Sequence, residues 1–322
     1  SRAMMGSSAA GSSSAALASS GAASTATEEF TSSTNTITAG AFASSGSLGT
    51  ARSQIAGFGA TTDASIGGGG YRYGPNAYTN ASEEYNGATF SATPNMPVTL
   101  GFRNAGGTVT AGAVFGGHDG SNPSNTSLWD GSSYSNGPNI VDPGYGTMGN
   151  GTQTALFMCG CADADRPTTI TEEYNGSSWS TVPGTLNTGR GNGMGVGSQT
   201  AGLVLGGGPS TNMEEYNGST WSNGHTMAIT MGRSSAQGGS TPQDDTMIAG
   251  SAPVTTAAQQ YNGTAWTTAP SLATGRGGSN GMGAGNSASS MLVAGGGSPT
   301  SVATSEKFTG ETTAANITDF TT

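Results

Sequence analysis

The sequence predicts an all-β protein: a seven-bladed β-propeller with four antiparallel strands per blade. Three recurring features predict it. The first is the phrase Glu-Glu-Tyr-Asn-Gly-x-x-Trp, which reads Glu83 to Phe90, Glu172 to Trp179 and Glu214 to Trp221. Weaker copies run Gln259 to Trp266, Leu128 to Gly131, Glu306 to Gly310 and Glu28 to Phe30. The aromatics at 30, 85, 129, 174, 216, 261 and 308 stand 42 to 55 residues apart. A period of that size in a Gly-rich chain without helical patterning belongs to a propeller. The second feature is an arginine leading each unit: Arg2, Arg52, Arg103, Arg190, Arg233 and Arg276, with Tyr145 standing in once. The third is an apolar-Gly-Gly marker near Leu17, Gly68, Gly116, Cys159, Gly206, Ala249 and Gly295. In register, these markers divide the chain into repeats at about 1–48, 49–99, 100–142, 143–186, 187–229, 230–272 and 273–322. The whole of 1–322 reads as one propeller.

The best-preserved unit, Thr188 to Trp221, shows why each piece becomes a strand. Gly193-Met194-Gly195-Val196-Gly197 alternates Gly with apolar residues, as suits the innermost strand, where blades converge. Ser198-Gln199-Thr200 reads as a turn. Ala201 to Leu205 is an apolar run ended by Gly206-Gly207, the pattern of a strand buried on both faces. The Glu-Glu-Tyr strand follows a variable loop. Asn217-Gly218 then predicts a type I′ hairpin, which needs positive φ at both central residues. Trp221 marks the outer strand. On this count the chain starts at an inner strand and ends at an outer one, Asn316 to Phe320, so the ring would close by side-chain packing. Ser1 falls inside a repeat, which suggests a piece of a longer polypeptide.

Composition narrows the partners. The 322 residues carry a formal net charge of −10, and Lys307 is the one lysine. Nucleic acid and anionic membranes require clustered Lys and Arg, so neither is an expected partner. No apolar run reaches the roughly 18 residues of a membrane-spanning helix, and no signal-peptide pattern is visible. A chain poor in Lys and rich in Ser, Thr, Gly and Asn suits an exposed extracellular protein. Cys159 and Cys161, one residue apart on a strand, read as two small buried side chains. A strained disulfide or half a metal site is the alternative.

The repeat also places the charges. Six of the nine basic residues are the leading arginines, and nine of the ten Glu lie on the Glu-Glu-aromatic strand. Repeated ion pairs are therefore expected among Arg52, Arg103, Arg190, Arg233 and Arg276 and Glu83, Glu84, Glu172, Glu173, Glu214 and Glu215. A guanidinium fork satisfies a carboxylate twice. Neighbouring Glu point to opposite faces, so one of each pair serves. The alternative is a ring of Arg at the channel mouth holding an anion.

Binding residues are expected where the repeat breaks, in the loops after each Gly-Gly. The richest, Gly67 to Ser82, offers Tyr71, Arg72, Tyr73, Asn76 and Tyr78; Tyr beside Asn is adhesive and stacks on sugars. Packing of these rings on the loop's own stem is the plainer reading. His118 and Asp119 in the next repeat, and Arg166 beside Asp163 and Asp165 in the fourth, complete the candidates. Neither Asp loop has full calcium spacing. No metal or other cofactor is expected, and no catalytic residue. Two histidines, His118 and His225, make no multi-His metal site. There is no Gly-x-Ser-x-Gly elbow, and the repeat-locked Glu look structural.

An Arg-led strand, apolar-Gly-Gly, Tyr and an outer-strand Trp together resemble the kelch repeat, over essentially the whole chain. The Tyr-Asn-Gly-x-x-Trp wording also resembles kelch-like virion proteins of marine bacteriophages. The resemblance implies a non-enzymatic structural or adhesion module of a phage particle: a fibre, tail or head-surface protein. It would sit in several copies on the virion, outside cells, with other virion proteins and host-surface glycan or protein as partners. The copper site of kelch-like oxidases has no counterpart in these residues. The alternative reading is a cellular secreted or surface propeller that binds carbohydrate or protein.

Overall fold

The computed structural model describes residues 9–12, 15–19, 27–31 and 35–315, apart from 145, 164–168, 209, 231, 233–234, 237–241, 252, 278–280 and 298–299. It divides into two compact units, Ala41–Gly310 and Ser1–Gly40 with Glu311–Thr322.

The larger unit is a propeller of six four-stranded antiparallel blades. From the inner strand outward, blade 1 is Ala56–Thr61, Ala64–Gly68, Ser82–Tyr85 and Phe90–Thr93. Blade 2 is Asn104–Thr108, Ala111–Phe115, Thr126–Trp129 and Tyr134–Gly137. Blade 3 is Met148–Thr152, Ala155–Cys159, Thr171–Tyr174 and Trp179–Val182. Blade 4 is Met194–Ser198, Ala201–Leu205, Met213–Tyr216 and Trp221–Asn223. Blade 5 is Ser235–Ala236, Thr246–Ala249, Ala258–Tyr261 and Trp266–Ala269. Blade 6 is Met282–Ser287, Ser290–Ala294 and Ser305–Thr309, completed by Ala41–Ser45 from upstream of blade 1.

The expected count of seven is thus corrected to six. The inner strands of blades 1 to 6 contact one another in a closed circuit, blade 6 against blade 1 included. The first repeat, around Glu28-Glu29-Phe30, instead forms a separate three-stranded sheet of Ala9–Ser12, Ala15–Ser19 and Thr27–Thr31. Closure is by a shared blade, contrary to expectation, and the reason is an aromatic. In blade 1 Tyr85 stands opposite Phe90; in blade 6 Phe308 stands opposite Phe42 in the same register. The strand that directly follows Phe308, Thr312–Ala315, carries no aromatic and pairs with Asn35–Thr38. Burying a ring against a ring stabilises more than burying a threonine does. Asn316 to Phe320, the outer strand expected from sequence, lies outside the described residues.

Core residues gather between blades. Phe58, Ile66, Met96, Val114 and Trp129 fill the blade 1–2 interface. Phe115, Leu156, Met158, Tyr174 and Trp179 fill the next. Inner strands approach closely through glycine: a Cβ on Gly195 would overlap the backbone of Gly149 in the neighbouring blade. This is why the Gly-rich inner pattern reads through the sequence. Cys159 and Cys161 are both buried and free. Burial pushes both thiols up, away from thiolate.

The Asn-Gly turns differ from expectation. Tyr216 pairs with Trp221, leaving a four-residue loop, and the positive φ falls on Gly218 (88°) and not on Asn217. Asn217 Oδ1 instead accepts from the amides of Ser219 and Thr220, both at 2.9 Å. Asn86, Asn175 and Asn262 do the same, and Asp130 does so for Ser132 and Ser133. The residue is selected for a short side-chain acceptor, not for left-handed backbone.

Candidate functional site

The repeated charges are consumed by the scaffold. Arg52 pairs with Glu83 (2.8 Å), Arg190 with Glu214 and Arg276 with Glu306 (3.2 Å), all buried. Each guanidinium also donates to the carbonyl of the first loop glycine: Gly69, Gly206 or Gly295. The first Glu also accepts from the amides of the segment leading into its blade, and so does Glu172, whose repeat has Tyr145 in place of the leading arginine, contrary to the expected ion pair. Glu214 takes Asn187 N and Thr188 N, and Glu172 takes Val141 N and Asp142 N. In blade 5 Gln259 exchanges two bonds with the Ile229 backbone.

Arg103 departs from the expected pairing. It directly precedes its inner strand, and Ser127 stands where other blades carry the first Glu. Its guanidinium donates to Gly116 O (3.1 Å) and Val114 O (2.9 Å). Burial without a carboxylate pushes its pKa down to about 9. Arg233 lies outside the described residues. The second Glu of the pair does other work: Glu173 accepts from Tyr216 OH of the next blade (2.7 Å), and Glu215 from Tyr261 OH (2.9 Å). Glu84 holds the same register in blade 1.

Sequence reasoning missed one inter-blade device. Turn residues Gln153, Gln199 and Gln243 each reach two carbonyls of the preceding blade, as Gln199 does to Leu156 O and Tyr174 O, both at 3.1 Å. The recurrence of Gln at that turn was the available signal.

The loops after each Gly-Gly share one base. The first glycine takes φ between 60° and 71° in all six blades, and its amide donates across the loop, as Gly69 N does to Ala81 O. Above that base the loops diverge. In blade 1, Tyr71–Arg72 and Ala77–Tyr78 form a small ribbon, with Tyr71 OH donating to Asn76 Oδ1 and Asn76 at φ 56°. Tyr71 packs edge-on against both Tyr73 and Tyr78, at 5.0 Å each. Tyr78 meets the His118 ring of blade 2 at 6.2 Å, and His118 meets Phe102 at 6.5 Å. The loops thus bring Tyr71, Tyr73, Tyr78 and His118 into one aromatic run crossing two blades, with Phe102 an addition from the structure.

Polar groups flank the run. His118 Nδ1 donates to Asn122 Oδ1 (3.3 Å), and Asn122 Nδ2 to Asp163 Oδ2 of blade 3 (2.8 Å). Asp119 is exposed, and its Oδ1 takes the Ser121 amide and hydroxyl, which lower its pKa. Among the described residues no three His, Cys, Asp or Glu are grouped to hold a metal ion. Arg72 is exposed, whereas the other described cations are buried or, for Lys307, paired with Asp63. Arg166 lies outside the described residues.

No known protein family matches the chain, and no curated protein does. Solved structures do match. One, titled "Structure of YjhT", is similar with a TM-score of 0.63 at 12% identity, over 83% of this chain and 99% of that one. That likeness is one of fold: YjhT is a β-propeller protein.

Proposed function

We propose that this chain is a non-enzymatic binding module of a bacteriophage particle, presenting its loop face to host-surface glycan or to other virion proteins. The observation that carries the reading is the aromatic run from Tyr73 to Phe102, built from loops of two blades on a rigid ring. Tyr rings offer apolar area with little rotamer entropy to lose, which suits adhesion. Among the described residues, Glu83, Glu173, Glu214, Glu215 and Glu306 are engaged in structural bonds, which favours a binding role over acid–base chemistry. The phage setting is supported by the Tyr-Asn-Gly-x-x-Trp wording, which resembles that of kelch-like virion proteins. Several copies per particle would multiply a weak single-site affinity. Immunogold labelling of purified virions tests the setting, and blocking of adsorption by the soluble propeller tests the role. Labelled particles with blocked adsorption are expected. Labelling confined to a cell surface would overturn the phage reading.

A further inference from the structure

Three features meet at the junction of blades 1 and 2: a non-glycine residue in left-handed backbone, an orphaned buried oxygen on it, and the aromatic run beside it. The residue two before the inner strand has left-handed φ in blades 1 to 4: Gln54 at 58°, Phe102 at 53°, Gly146 at 62° and Asn192 at 61°. Blade 3 shows that glycine serves there. Gln54 and Phe102 keep side chains in a conformation that disfavours any Cβ. Gln54 is also only 6% exposed, and its Oε1 is buried without a hydrogen-bond partner. Strain and an orphaned polar atom in one residue both cost stability, and such outliers cluster at ligand sites. Finally, the orphan oxygen adjoins the aromatic run. A Cβ on Gly101 would collide with Gln54 Oε1 and stand 2.9 Å from Tyr78 Cε1. The Gly101 backbone pairs with His118, the next ring of the run.

We propose that this junction is a saccharide-binding site, in which a sugar hydroxyl meets the Gln54 carboxamide while the sugar's C–H face lies against the Tyr71 and Tyr78 rings. The proposal rests on the loop face being the binding face. A hydroxyl both donates and accepts, so it completes the carboxamide whichever way its O and N are turned. A pyranose carries hydroxyls on its rim and C–H groups on its face, the complement of an amide set beside aromatic rings. Asn192 repeats the strain and the orphan Oδ1 in blade 4, but its oxygen faces Gly146. It therefore serves as an internal control.

The test is a printed array of neutral and acidic bacterial-surface oligosaccharides, followed by calorimetric titration of the strongest binder. Gln54→Gly is expected to melt no lower than wild type and to bind about tenfold more weakly, the loss of one well-made hydrogen bond. Asn192→Gly should bind as wild type. Tyr73→Ala, at the loop tip, reports on the face itself. Binding lost in Tyr73→Ala but intact in Gln54→Gly would overturn the Gln54 site and leave the face standing. A wild-type protein that binds nothing on the array would overturn both. If Gln54→Gly melts early, Gln54→Met decides, since it keeps the chain length without the amide; intact binding there sinks the proposal.

Discussion

Phe42 and Phe308, from the two ends of the propeller unit, pack with ring centroids 5.0 Å apart. That contact closes the ring. Phe42→Ala should lower stability by about 2 kcal/mol, less than a fully buried Phe→Ala because Phe42 is only half-buried. Thr313→Ala, at an exposed position of the strand left over, should change it by under about 0.5 kcal/mol. Urea midpoints at constant m compare the two; equal effects would contradict closure through Phe42.

Tyr216 OH to Glu173 Oε1 joins blade 4 to blade 3. Tyr216→Phe and Glu173→Gln should each cost about 1 kcal/mol. In a double-mutant cycle they should couple by at least about 0.5 kcal/mol, as contacting partners do. Additive effects would show that the bond contributes nothing.

Two buried arginines make opposite predictions. Arg276→Met leaves Glu306 buried with only the amides of Ala273 and Thr274, and should cost about 3 kcal/mol or more. Arg103 has no carboxylate to orphan, so Arg103→Met should cost under about 2 kcal/mol. Chemical denaturation ranks them, and the reverse order would refute the assignment of Arg103 as a charge held by carbonyls and the Ser127 hydroxyl without a carboxylate.

Burial raises the phenol pKa of Tyr134 to about 12 and raises those of Tyr174, Tyr216 and Tyr261 as well. Glu173 and Glu215 add to the last two. The folded state thus holds more protons than the unfolded state above the ordinary tyrosine value of about 10. The contribution of these phenols is complete below that pH and is lost as pH rises toward about 12. Phenolate absorbance should rise in two phases, the later one coinciding with loss of tertiary structure. A single early phase would show these rings to be open to solvent.

Much of the fold is legible in the sequence because each recurring residue answers a local demand. Gly195 is small because Gly149 abuts it, and Glu214 recurs because a buried guanidinium needs it. Spacing also marks Tyr71, Tyr73, Tyr78 and His118 as loop residues beyond the repeat. Their meeting was not legible, since it depends on two loops leaving adjacent blades at one end.

By itself, the sequence determined a repeating four-stranded blade, the recurring positions of its Arg and Glu, and the loops that escape the pattern. Tertiary structure alone decided how many blades close the ring and where the orphan carboxamide of Gln54 lies. Local propensity makes every repeat a potential blade, the first included. Ring closure is a competition for one sheet edge, and Phe42 wins it through contact with a residue at the far end of the unit.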